Sequence, residues 1–173
     1  AIWIGTAVVL KGSDGFADGA LAMLREAEVD LKLMRKSPQP TGAAFIAVDA
    51  KTGELLWENN MPGEKIFHGT WSNPTYGVVK GRAQIIFPGG DGWIYSFEPK
   101  KGALLWKFNA NPEGAKYIPG GRGTANEVIA TAALFEDRLY FGVGQDPEHG
   151  EGLGNFWCID ATLEGDITGK GVV

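Results

Sequence analysis

The run FIAVDAKTGELLW at residues 45–57 returns as IYSFEPKKGALLW at residues 94–106. The offset is 49 residues at every matched position: Asp49 to Glu98, Gly53 to Gly102, Trp57 to Trp106. A weaker third copy starts at Phe156, runs through Asp160 and carries a glycine at 165. A fixed period of this length indicates a stack of like units, each burying its apolar face on the next. Any fold proposed for the chain has to place these copies in equivalent surroundings.

The segments between the copies read as short strands. Ile2–Leu10 is rich in β-branched and aromatic types, and a strand is expected there. Further strands are expected at Phe45–Val48, Glu54–Glu58, Thr75–Val79, Gln84–Phe87, Trp93–Phe97, Ala103–Phe108, Val128–Leu134, Arg138–Val143 and Asn155–Ile159. The glycine content, 26 of 173 residues, supplies the turns between them. One stretch differs. Ala20, Leu24, Ala27, Leu31 and Met34 follow helical spacing, with Asp18 as N-cap and Ser37-Pro38 as stop. A helical insertion over 17–36 is therefore expected, either packed on its own domain or free to dock a partner. The end, Thr162–Val173, reads as turn-like.

Strands recurring in fours with a period near 50 fit β-propeller blades. The expected fold is all-β: a partial propeller of four-stranded antiparallel blades, about two and a half of them, with one inserted helix. Counting strands A to D outward from the axis, residues 1–58 supply B to D of a first blade. Residues 74–108 supply a second, and residues 127–160 supply A to C of a third. Two raw sheet edges would remain, so further blades or a protein partner are expected to complete the assembly. The chain opens with Ala1 inside an apolar run, as expected of a processed or truncated segment.

A net charge of -5 and a pI near 5.1 argue against a nucleic-acid partner or an anionic membrane surface. No apolar run is long enough for a transmembrane segment. The single cysteine, Cys158, cannot form a disulfide within the chain and reads as a small core hydrophobe on a strand.

The pattern Ala-x-Asp-x-x-Thr-Gly-x-x-x-Trp is complete in Ala47, Asp49, Thr52, Gly53 and Trp57. It resembles the tryptophan-docking repeat of the pyrroloquinoline-quinone (PQQ)-like β-propellers, a family that holds both quinoprotein alcohol dehydrogenases and BamB-type scaffolds. The second copy departs from it at Ser96, Glu98 and Lys101; the third has an extra residue before Gly165 and no following tryptophan. Residues 68–74, 87–93 and 144–152 are similar to a repeat subgroup of planctomycete-type bacteria. The resemblance covers about 44–173 and implies a periplasmic or extracellular protein. It implies two functions: a non-catalytic scaffold of the bacterial envelope, or a dehydrogenase using PQQ and calcium.

Trp57 and Trp106 could stack on a planar cofactor, but their repeated place at a strand end favours a wedge between blades. Asp49 and Glu98 are placed to accept backbone N–H bonds in the turns that follow them. Asp146, Glu148, His149 and Glu151 crowd one loop and could hold a cation, calcium through the carboxylates or a transition metal through the imidazole. The same loop could equally be solvated and hinged by its glycines. His68 reads as a hydrogen-bonded loop residue. Gly120-Gly-Arg-Gly123, with Arg122, lacks the strand and helix of a phosphate-binding loop. In an antiparallel blade the A–B and C–D turns share one face, and the B–C and D–A connections share the other. Nearly all long connections fall in the second set. His68, Trp71, Asp91, Arg122, Asp146, Glu148 and His149 are thus expected on one binding face.

Overall fold

A computed structural model describes residues 2–9, 42–59, 61, 70–118, 123–144 and 154–173. All regular structure among them is strand. The helix expected over 17–36 lies outside the described residues. Contacts divide the chain into two compact units, 1–64 and 65–173.

The first unit is a three-stranded antiparallel meander of β1 (Ile2–Val9), β2 (Gly42–Asp49) and β3 (Leu55–Asn59), in that order. The β2–β3 turn is built on Asp49. Its Oδ1 accepts the N–H groups of Lys51 (2.8 Å) and Thr52 (3.0 Å), and its carbonyl accepts the N–H of Gly53 (2.8 Å). Gly53 has φ 71°, a left-handed conformation that a side chain would strain. Phe45 and Ala47 are buried, as is Trp57, the register partner of Ala47.

The second unit holds two sheets. In the central one, β4 (Thr75–Val79), β5 (Arg82–Pro88), β6 (Trp93–Phe97) and β7 (Leu104–Asn109) form a second antiparallel meander. Its β6–β7 turn repeats that of the first unit. Glu98 has one more methylene than Asp49 and uses both oxygens, Oε1 accepting from Lys100 N–H (3.0 Å) and Oε2 from Lys101 N–H (2.7 Å). Gly102 has φ 67°. The register shifts between Ala47 and Val48 in one copy and between Ser96 and Phe97 in the other, again 49 residues apart.

The other sheet, ordered β10-β9-β8, contains β8 (Ala133–Phe135), β9 (Arg138–Val143) and β10 (Asn155–Asp160). One of its faces packs on the central sheet. Ile86, Ile94, Trp106 and Phe108 share a core with Leu139, Phe141 and Ile159. Phe108 meets Phe141 and Trp157 edge-to-face, with centroids at 6.1 and 5.2 Å. Trp106 is fully buried, and its indole N–H donates to Gln84 Oε1 (2.8 Å). The same oxygen accepts the Ser96 hydroxyl (2.8 Å), and the Gln84 amide nitrogen donates to the carbonyl of Ala161 (3.1 Å). Ser96 stands where the first copy has Ala47, so the departure in the repeat supplies a donor to this amide.

Two expectations are corrected. The strand expected over Val128–Leu134 shrinks to the three residues of β8, with an isolated bridge from Glu127 to Gly144. The carbonyls of Ala130 and Ala132 accept the hydroxyls of Ser72 (2.9 Å) and Thr75 (2.6 Å), so side chains of the preceding segment take the place of a strand ladder. The end of the chain is not merely turn-like. Gly165–Asp166 forms β11, which pairs in parallel with Trp106 and Lys107 of β7 as a fifth strand of the central sheet. Ile167 beyond it is fully buried, and the chain then returns to its own sheet, where Val172 bridges Ile159. A two-residue parallel strand is too short for any periodicity to announce it.

Truncating a large aromatic in a close-packed core removes its transfer energy and leaves a cavity. Trp106→Ala and Trp57→Ala are each expected to cost ~3–5 kcal/mol in denaturant unfolding; midpoints and slopes near those of the parent would contradict the wedge role.

Acid should weaken the turns. The N–H groups of Thr52, then Lys51, hold Asp49 below its ordinary carboxylate value, and Thr162 does so for Asp160, first through its hydroxyl and then its N–H. A depressed folded-state pKa contributes stability above the unfolded value that is lost as pH falls through the folded one. The melting midpoint should therefore drop below about pH 4, and drop less in Asp49→Asn/Asp160→Asn. An identical acid profile in that double variant would count against the turns as its source.

Candidate functional site

In the central sheet β4 and β6 begin, and β5 and β7 end, at the same edge of the meander. The 89–92 turn and the segments 70–74 and 110–118 therefore gather at that end. Asp91 lies at its centre. This residue is buried, with Oδ1 accepting Trp93 N–H (3.1 Å) and Oδ2 accepting the Tyr95 hydroxyl (2.6 Å). Burial, followed by the hydrogen bond and charge of Asp91, pushes the Tyr95 phenol far above its ordinary range. Tyr95 thus keeps its proton and acts as a donor at neutral pH.

Two asparagines extend the network. Asn111 Nδ2 donates to the Asp91 carbonyl (2.9 Å), and Asn111 Oδ1 accepts Asn126 N–H (2.8 Å). Asn126 Nδ2 reaches the carbonyl of Ala110 (2.8 Å), whose own N–H donates to Gly92 (3.0 Å). The connection after β7 is thereby pinned at its base. Further out it folds on itself, with Thr124 and Ala125 N–H both donating to the carbonyl of Lys116 (2.8 and 3.1 Å). Nothing in the sequence singled out Asn111. Its only cue is a place two residues after Asn109, whose Oδ1 caps its N–H (3.0 Å).

Trp71 precedes β4 at this end and is 56% exposed, an ample surface for contact. His68, Arg122, Asp146, Glu148, His149 and Glu151 lie outside the described residues. Among the described residues, no group of three or more His, Cys, Asp or Glu is placed to hold a metal ion. No described helix is long and apolar enough to cross a membrane.

No protein-family model matches the chain. Over 100 residues, 57% of the chain, it is 28% identical to proteins named alcohol dehydrogenase (quinone), dehydrogenase subunit, from Gluconacetobacter polyoxogenes and Komagataeibacter europaeus. The match spans 13% of the length of those relatives. Among solved structures, the quinohemoprotein alcohol dehydrogenase ADHIIG of Pseudomonas putida HK5 aligns with a TM-score of 0.50 at 14% identity, over 73% of this chain and 17% of that one. BamB of Moraxella catarrhalis aligns with a TM-score of 0.46 at 15% identity, over 69% of this chain and 32% of that one. The dehydrogenase likeness speaks for the fold: the chain is all-β, a stretch of β-propeller.

The network yields two tests. Tyr95→Phe removes the donor 2.6 Å from a buried carboxylate oxygen and should cost ~1–3 kcal/mol. Gly92 has φ 76°, and a Cβ there would fall 2.6 Å from the backbone oxygen of Asn126. Gly92→Ala should therefore raise amide hydrogen exchange across 110–118 and 123–126 while leaving β4–β7 protected. Unchanged exchange in those connections would show that the turn does not hold them.

Proposed function

We propose that this chain serves in a non-catalytic binding scaffold of the bacterial envelope, a propeller completed by further blades or by a protein partner. The observation that carries this reading is the engagement of the polar groups where the connections gather. Asp91, Tyr95, Asn111 and Asn126 bond to one another and to backbone, which fixes the base of the long connection. A preorganised loop surface loses little entropy on binding, and loops held on a rigid scaffold are where recognition concentrates. Trp71 belongs to that face. In this reading His68, Arg122 and the 144–154 loop join it.

A second reading is favoured by the curated relatives, whose names are those of quinone alcohol dehydrogenase subunits. In it the chain is part of a dehydrogenase that uses PQQ and calcium. The two readings separate in one experiment. The full chain is incubated with PQQ and calcium, and its absorbance and alcohol-dependent dye reduction are followed. The scaffold reading expects neither a bound-quinone spectrum nor dye reduction. Alcohol-dependent reduction would replace it with the dehydrogenase.

A further inference from the structure

Matched positions of the repeat do not share the same burial. The first position is Phe45, Ile94 and Phe156 in the three copies, and the third is Ala47, Ser96 and Cys158. Strand alternation puts these two positions on one face, and the second and fourth on the other. Phe45, Ile94, Ala47 and Ser96 are fully buried, whereas Phe156 is 73% exposed and Cys158 is half-buried. The fourth position shows the reverse. Phe97 and Ile159 are fully buried, whereas Val48 in the first copy is half-buried, as is Ile46 on the same face.

The junction inside the second unit shows which face meets which. Ile94, with Trp106 and Phe108, packs on Ile159, and Trp157 lies against the same core. The first-and-third face of one copy thus receives the second-and-fourth face of the next. The strap that carries β11 ties that junction further by pairing with β7. On the β10-β9-β8 sheet the equivalent receiving face is open. Phe156 stacks on Tyr140 with centroids at 6.5 Å, and Phe135 on the neighbouring strand is 63% exposed. The charged residues in register on this face, Arg138 and Asp160, are opposite in sign and paired across the strands at one end. Exposed apolar patches of this kind mark interaction surfaces.

We propose that the free face of the β10-β9-β8 sheet binds the Ile46–Val48 face of a second copy of this chain. The proposal rests on the reading of the chain as a scaffold propeller completed from outside, and it names the partner. One chain carries both halves of the contact, in the same pairing of positions that holds its own two sheets together. Such a contact is head-to-tail, each copy using two different faces. Each copy holds three sheets among its described residues. Two copies hold six, inside the range of about four to eight blades over which propellers close. The assembly is therefore a dimer.

Sedimentation of the full chain over a range of concentrations tests this, with circular dichroism as the check on folding. The parent should pass from monomer to dimer. Phe156→Glu alters an exposed site, so it should fold and weaken association by about thirtyfold or more, the effect of losing an aromatic hot spot. Val48→Glu should weaken it comparably. Mixing the two variants leaves one intact contact per pair, and dimer should reappear. If Val48→Glu does not fold, Ile46→Glu takes its place. A monomeric parent, a Phe156→Glu variant that associates like the parent, or a mixture that stays monomeric would overturn the proposal. So would a dimer that survives Val48→Glu, since the Phe156 faces would then be meeting each other. A monomeric parent that also gives neither a bound-quinone spectrum nor dye reduction would remove the second copy and leave the scaffold reading in place.

Discussion

The side-chain amide of Gln84 is the point on which the second unit depends. It stands on β5, accepts from β6 through Ser96 and from β7 through Trp106, and donates to the neighbouring sheet at Ala161. A buried amide without partners would cost several kcal/mol in an apolar core. With all of them it fixes the orientation of Trp106, and Trp106 fills the space between the two sheets. Hydrophobic area alone would hold the sheets together; the amide sets how they meet.

The repeated turn was legible because its chemistry is local. A carboxylate, a glycine four residues on and a tryptophan four beyond that occupy fixed positions, and the strand register follows. The bulge shared by both copies shows how closely the backbone obeys that spacing. The 128–134 segment was misread because its apolar residues suit a strand while its carbonyls are taken by Ser72 and Thr75, some 58 residues earlier. Only the folded chain brings those hydroxyls near. The strap failed for a related reason, since its two paired residues carry no pattern of their own.

Asp91 illustrates the same limit at the candidate site. In sequence it is an acidic residue in a glycine-rich loop, a description that suits an exposed ligand-binding group. In the structure it is buried against Tyr95 and ties a turn to a distant connection. Trp71, by contrast, is exposed. Segments 70–74, 89–92 and 110–118 lie at one end of the meander, whereas which of their residues face inward depends on partners contributed by other connections.

The parallel pairing of β11 with β7 has a consequence for how the chain comes apart. In a simple array of repeats, each unit melts with a stability of its own plus a term for contact with its neighbours. Here one sheet lends a strand to the other and then resumes its own ladder at Val172. Neither sheet can lose its outer strand without disturbing the other. The coupling between the two sheets is therefore raised at this joint, and the strands β4–β7 and β8–β11 should behave as a single cooperative foldon.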